Sequence, residues 1–174
     1  MHTIFGNGYG SGDGDCGVCN FGFPCGLAFS LDESCIYVAD TNNHSIRCLD
    51  LQKLSSTTIL GFERKRGVMI GELDQTLMTE PRGITMNTNG NLLVTTYSMI
   101  YNLDLNTNKA SIITGKPIIG FKDGYLNEAL FDHPDGIVYV DNTIFVADSY
   151  NHRIRAIDIG TNIVSTFAVY FIIT

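Results

Sequence analysis

Three Pro residues, each followed two positions later by Gly and then by an apolar segment, recur at intervals of 57 and 53 residues: Pro24/Gly26, Pro81/Gly83 and Pro134/Gly136. A chain built from such copies is limited to architectures that stack one supersecondary unit beside the next. After each Pro-x-Gly come four short segments. In the first copy they are Leu27–Phe29, Ile36–Asp40, Ile46–Leu51 and Thr57–Leu60. The second has Ile84–Met86, Leu92–Thr96, Ile100–Leu105 and Ser111–Thr114, and the third Ile137–Val140, Ile144–Asp148, Ile154–Ile159 and Ile163–Ala168. Many of these segments are rich in β-branched and aromatic residues. Turn-forming pairs such as Asn42-Asn43, Asn89-Gly90 and Asp141-Asn142 separate them, so each copy reads as a four-stranded antiparallel meander.

The connections between copies also match one another. Each carries a Gly ten positions before its Pro (Gly14, Gly71, Gly124) and a bulky apolar residue three before it (Phe21, Met78, Phe131). A structureless loop near 20 residues would argue against the assignment, but recurrence at constant offsets makes the connection part of the repeat. The glycines are expected to supply positive-φ turns, and the bulky residues to plug the gap between neighbouring units. Composition agrees with strands and turns: 18 glycines, no Trp, 44% hydrophobic residues and 17% charged.

Periods of 40 to 55 residues with four short strands are the signature of a β-propeller, whose blades pack on both faces. Two-sided burial explains apolar runs such as Ile144-Phe145-Val146-Ala147, where strict alternation would otherwise be expected. The second and third strands of copies one and three read Ile36-Tyr37-Val38-Ala39-Asp40-Thr41-Asn42-Asn43-His44-Ser45-Ile46-Arg47 and Ile144-Phe145-Val146-Ala147-Asp148-Ser149-Tyr150-Asn151-His152-Arg153-Ile154-Arg155. With the preceding Pro-x-Gly, these resemble NHL repeats, the propeller family with an Asn-His-Leu signature. Ser45 and Arg153 stand where the signature has Leu. Copy two departs further: its hairpin is two residues shorter and lacks the Asp, Asn and His.

The expected fold is therefore all-β, an NHL-type β-propeller of three four-stranded antiparallel blades forming an incomplete ring or half-ring. Residues 1–6 align with the outer-strand endings of later copies and are expected to close a preceding blade. Residues 7–61, 62–115 and 116–169 form blades one to three, and 170–174 a tail outside the repeat. The resemblance implies rings of five or six blades, roughly 250 to 320 residues. The chain is thus expected either to be a piece of a longer protein, the favoured reading, or to join a second copy as a half-ring.

A structural role is expected for the Asp40, Asn43 and His44 set and for Asp148, Asn151 and His152: the carboxylate accepts N–H groups of the following turn, Asn takes the left-handed conformation, and His bonds the turn from its other side. Candidate ligand-binding residues are those that differ between copies inside the constant frame. The residue before Pro is Phe23, Glu80 or His133, and the one after it Cys25, Arg82 or Asp135. These flank the innermost strand near the channel mouth, which marks Glu80, Arg82, Asp132, His133 and Asp135. Cys16 and Cys19 have zinc-knuckle spacing without a second ligand pair. Asp13-Gly14-Asp15 and Asp123-Gly124 fall short of a calcium loop, and Gly6 to Gly10 lacks the Lys and helix of a phosphate loop. No metal, cofactor or catalytic residue is expected.

Eleven Lys and Arg against eighteen Asp and Glu leave a formal charge of −7, which disfavours nucleic acid, although Arg64-Lys65-Arg66 is a local basic run. The longest apolar run, Phe167–Ile173, is too short to span a bilayer, and the N-terminus lacks a secretory signal, so a cytoplasmic location is the default expectation. Three functions follow from the family resemblance. The leading one is a non-enzymatic protein-interaction or scaffold module with a protein partner. The alternatives are part of a propeller lyase or metal-dependent hydrolase, to which Glu80, His133 and Asp135 contribute, and an RNA-binding module.

Overall fold

The computed structural model describes residues 4–61 and 65–169. Their strands form three antiparallel sheets. Blade one contains β1 (Gly14–Asp15), β2 (Pro24–Phe29), β3 (Cys35–Asp40), β4 (Ser45–Asp50) and β5 (Ser55–Leu60) in the order β1-β5-β4-β3-β2. Blade two is β6 (Ile84–Met86), β7 (Leu92–Thr95), β8 (Met99–Asp104) and β9 (Lys109–Gly115), paired in sequence order. Blade three repeats blade one: β10 (Gly124–Tyr125), β11 (Pro134–Val140), β12 (Thr143–Asp148), β13 (Arg153–Asp158) and β14 (Ile163–Val169), in the order β10-β14-β13-β12-β11. The sheets stand side by side and do not close a ring.

All twelve expected segments are strands. The third strands β4, β8 and β13 end at Asp50, Asp104 and Asp158, because each carboxylate turns back to accept the N–H groups two and three residues on, at 2.8–3.0 Å. Those bonds hold the three carboxyls below the usual carboxylate range. The connections add β1 and β10, which pair with the outer strands β5 and β14 of the blades they lead into. In blade two the equivalent contact shrinks to a single bridge between Glu72 and Lys109. Gly14, Gly71 and Gly124 have φ of 128°, 150° and 136°, as their offset implied. Of the leading strand expected at 1–6, residues 1–3 lie outside the described residues and residues 4–6 carry no strand; the expected tail at 170–174 also lies outside.

Two cores hold the blades together. Ala39, Ile46 and Leu60 of blade one pack with Leu92, Val94 and Tyr101 of blade two, and Met78 fills the gap between them. Leu93 and Ile100 point the other way, into Ile137, Ile144 and Val146 of blade three, with Phe131 as the plug. Successive residues of β7 therefore serve opposite interfaces, which is why an unbroken apolar run suits this strand. Phe21, the third residue of the plug series, is only partly buried, and the Arg47 guanidinium lies 5.0 Å from its ring centre.

The Pro-x-Gly motif has a spatial cause. A Cβ on Gly26 would overlap the main-chain carbonyl oxygen of Arg82 in blade two, and a Cβ on Gly83 that of Asp135 in blade three. Glycine lets each innermost strand pass directly beside the next. Gly136 differs: the nearest atom to a Cβ placed there is Ala147 Cβ of its own blade, 3.8 Å away.

Candidate functional site

The motif charges are consumed in two buried clusters. Asp40, fully buried, accepts from the N–H of Gly22 (2.6 Å), Nδ2 of Asn43 (2.7 Å) and Nη1 of Arg47 (3.0 Å). Nη2 of Arg47 donates to Asp13 at 2.6 Å and Ser56 at 2.9 Å, and the guanidinium also reaches the Asn20 and Gly12 carbonyls. Blade three repeats the pattern: Asp148 accepts from the N–H of Asp132 (2.8 Å), Asn151 (2.9 Å) and Arg155 (2.7 Å), and Arg155 reaches Asp123 at 2.7 Å.

This corrects the local chemistry expected of the motif. The backbone N–H that the Asp accepts comes from the incoming connection two residues before the Pro; the turn that follows reaches it only through the Asn side chain. The left-handed residue is the histidine, His44 at φ 55° and His152 at φ 53°, closing the 3-10 turns Thr41–Asn43 and Ser149–Asn151. His44 Nδ1 accepts the N–H of Glu80 in the next blade at 3.2 Å, while His152 is exposed. Burial depresses the His44 pKa, the nearby Glu80 charge acting against that shift. Arg47 and Arg155, and the part Asp13 and Asp123 play with them, were missed as a unit. The signal was present: Asp13, Asp40 and Arg47 recur as Asp123, Asp148 and Arg155, and all three are absent together in copy two, where Ile70, Thr96 and Tyr101 stand.

Blade two thus carries an uncharged substitute. The Tyr101 hydroxyl is buried without a hydrogen-bond partner, and burial pushes its pKa up to about 12. Tyr101→Phe removes an unsatisfied polar atom and keeps the ring, so urea denaturation is expected to show unchanged stability or a gain of about 1 kcal/mol. A comparable loss would mean that the hydroxyl is bonded.

The variable residues gather on the loop face, where the X-Pro junctions meet the turns between second and third strands. Phe23, Glu80 and His133 share one left-handed backbone conformation, with φ of 58°, 50° and 48°. The five expected binding residues fall into separate groups. Arg82 and Asp135 form an interblade ion pair at 3.0 Å and, with Cys25, line a cavity of about 250 Å³ between the innermost strands. Burial is the largest single influence and works against the Arg82 charge, but the bond to Asp135 and the charges of Asp135, Glu80 and Cys25 together outweigh it, and its pKa is raised. Ser149 Oγ donates to the other Asp135 oxygen at 3.1 Å, and Nε of Arg82 is buried without a partner.

Asp132 and His133 form the second group. His133 Nδ1 lies 2.6 Å from Asp132 Oδ1, its backbone N–H donates to the Tyr97 carbonyl, and its ring stacks on Tyr150 at 4.2 Å and meets the edge of Tyr97 at 4.5 Å. Neither tyrosine was among the expected residues. Glu80 stands apart from both groups, beside His44. Tyr150 and Phe23 are 64% and 66% exposed, so this face offers two aromatic side chains to solvent.

Among the described residues no group of three His, Cys, Asp or Glu is placed to hold a metal ion. The five cysteines are free, and Cys19 donates its thiol to the Cys16 carbonyl. Asp13 and Asp123 serve the arginines. Of the basic run 64–66, Arg64 lies outside the described residues. No described helix is long and apolar enough to cross a membrane.

Blades of this topology, packed through two-sided sheets with their innermost strands adjacent, define a β-propeller. The NHL-repeat family model matches residues 131–157, the last junction and the β11–β13 strands. The chain therefore carries an NHL repeat within a β-propeller fold. It is 32% identical over 151 residues to suppressor of quenching 1, a chloroplastic protein of Arabidopsis thaliana, covering 81% of this chain and 14% of that protein. It is 25% identical over 164 residues to human NHL repeat-containing protein 2, covering 86% of this chain and 23% of that protein. The chain therefore spans less than a quarter of the length of either relative. Among solved structures, a protein of unknown function from Bacteroides thetaiotaomicron matches with TM-score 0.66 at 22% identity, over 84% of this chain and 36% of that one. Virginiamycin B lyase from Staphylococcus aureus matches with TM-score 0.57 at 11% identity, over 86% and 42%. These two likenesses are of fold alone.

Proposed function

We propose that the chain is a non-enzymatic protein-binding module whose contact surface is the loop face. The observation that carries this reading is the set of X-Pro junctions. One strained backbone conformation, repeated in three blades, presents a phenyl ring, a carboxylate and an imidazole in turn. A rigid frame with changing side chains is what recognition of an irregular partner surface requires. Exposed Phe23 and Tyr150 supply aromatic anchors, and the half-buried Arg82–Asp135 pair supplies a polar contact beside them.

The enzyme reading draws support from one feature, the Asp132–His133 pair, in which a carboxylate orients an imidazole as in general-base catalysis. The aromatic packing on that imidazole and its backbone bond to Tyr97 also fit a positioned recognition residue, which favours binding.

The test uses the full chain, immobilised, and a polypeptide retained from extract of the source organism. Tyr150→Ala and Phe23→Ala are expected to lower affinity for that polypeptide by roughly tenfold or more each, with little change in melting temperature because both rings are exposed. Affinity unchanged in both variants would remove the loop face as the contact surface.

A further inference from the structure

On the opposite rim, blades two and three enclose a cavity of about 410 Å³. Its floor is aliphatic, including Leu93 and Ile113, and its wall carries Asn87, Asn102, Asn142 and Ser111. No charged side chain lines it. The asparagine oxygens are engaged. Asn87 Oδ1 accepts the N–H groups of Asn89 and Asn91 at 3.0 Å, Asn102 Oδ1 accepts Asn91 Nδ2 at 3.2 Å, and Asn142 Oδ1 accepts the Tyr139 hydroxyl at 2.8 Å. Each carboxamide keeps its NH2 as a donor.

The repeat supplies an internal comparison. Blades one and two enclose an equivalent cavity of about 340 Å³, with Tyr37 where the larger one has Leu93, Cys48 where it has Asn102, and Thr57 where it has Ser111. The aliphatic floor is shared in part: Ile59, Leu73 and Leu105 stand where the larger cavity has Ile113, Leu126 and Ile159, but Tyr37 replaces Leu93. The smaller cavity carries one carboxamide, Asn108, whose Nδ2 donates to Glu72 at 3.3 Å; the wider space and the wall of several donor amides belong to the second interface, so folding of the repeat does not account for them.

We propose that this cavity binds a neutral aliphatic side chain of a polypeptide together with its flanking peptide carbonyls, which rests on the protein-binding reading above. Amide donors above an aliphatic floor match a leucine-like residue, whose carbonyls accept at the wall while its side chain fills the floor. A sugar of the same size carries hydroxyls on every side and would leave several unpaired against the aliphatic floor. A charged residue would meet no counter-charge.

The probe is N-acetyl-leucinamide, titrated into the full chain and followed by proton–nitrogen NMR. Saturable shifts are expected at the side-chain NH2 groups of Asn87, Asn102 and Asn142, with half-saturation at roughly 1 mM for a ligand this small. Leu93→Tyr, which copies the other interface, is expected to weaken binding by roughly tenfold or more; Asn102→Cys, a milder copy that keeps the floor intact, is expected to weaken it several-fold. Absence of saturable shifts at these groups, insensitivity to both variants, or tighter binding of methyl glucoside at the same resonances would each overturn the proposal. The titration uses no protein partner, so its failure leaves the loop-face reading standing, and failure of partner capture leaves the titration interpretable.

Discussion

Replacing Arg155 with methionine will cost about 3–5 kcal/mol of stability, read as a fall in the urea midpoint with the slope unchanged. Methionine keeps most of the side-chain length, so the loss is chiefly electrostatic. Asp148 is fully buried and receives three hydrogen bonds, and removing the guanidinium strips it of its only positive partner among the described residues while leaving its charge out of water. Asp123 loses the same partner but is 39% exposed, so water replaces much of what it loses. Blade two shows how the penalty is avoided, because there the acid, the base and the second acid are all absent together. A triple replacement on that pattern, Asp123→Ile, Asp148→Thr and Arg155→Tyr, is therefore expected to cost less than Arg155→Met alone. A triple variant less stable than the single one would show that the cluster contributes net stability and is not merely intolerant of partial removal.

Gly83→Ala is expected to cost about 1–3 kcal/mol, toward the upper end, because the obstructing atom is the main-chain carbonyl oxygen of Asp135 in the next blade. No rotamer change relieves that overlap; the blades must move apart. Such movement also disturbs the Thr95 hydroxyl bond to the Asp135 carbonyl at 2.7 Å and the Arg82–Asp135 pair at 3.0 Å, so loop-face binding should weaken along with stability. Gly136→Ala, the same change in the next repeat, meets nothing closer than 3.8 Å and is expected to be neutral within about 0.5 kcal/mol in this chain. Equal costs at Gly83 and Gly136, measured by denaturation at low protein concentration, would contradict the close approach of innermost strands as the reason for the motif.

These two sites also show what the sequence made legible. The strands were readable because each blade interface demands an apolar face at fixed positions, and the repeat displayed that demand three times. Gly26 and Gly83 were visible as repeat positions, but their cause is an atom 56 and 52 residues further along the chain, in Arg82 and Asp135, which no local pattern reveals. The immediate neighbours of Asp13, Gly14 and Asp15, suggest only a partial calcium loop. The true partner of Asp13, Arg47, lies 34 residues away, and the link was legible only as joint presence in two copies and joint absence in the third. The five candidate residues lie at the X-Pro junctions, yet their division into two groups is set by the reach of Arg82 across a blade interface to Asp135, while Asp132 and His133 pair as neighbours in the chain. Tyr97 and Tyr150 escaped notice for the same reason: they lie in turns of two different blades and converge only on His133.

The most direct measurement is site-specific photocrosslinking of the full chain from the loop face, with a benzophenone side chain placed at Phe23 or Tyr150, and from a control at Lys53, in the turn between β4 and β5. The expected result is one polypeptide captured from both loop-face positions, reduced by unlabelled chain as competitor and absent from the control. Capture from Lys53 as efficiently as from Phe23 and Tyr150, or no specific adduct at either loop-face position, would contradict the assignment of this face as a protein-binding surface.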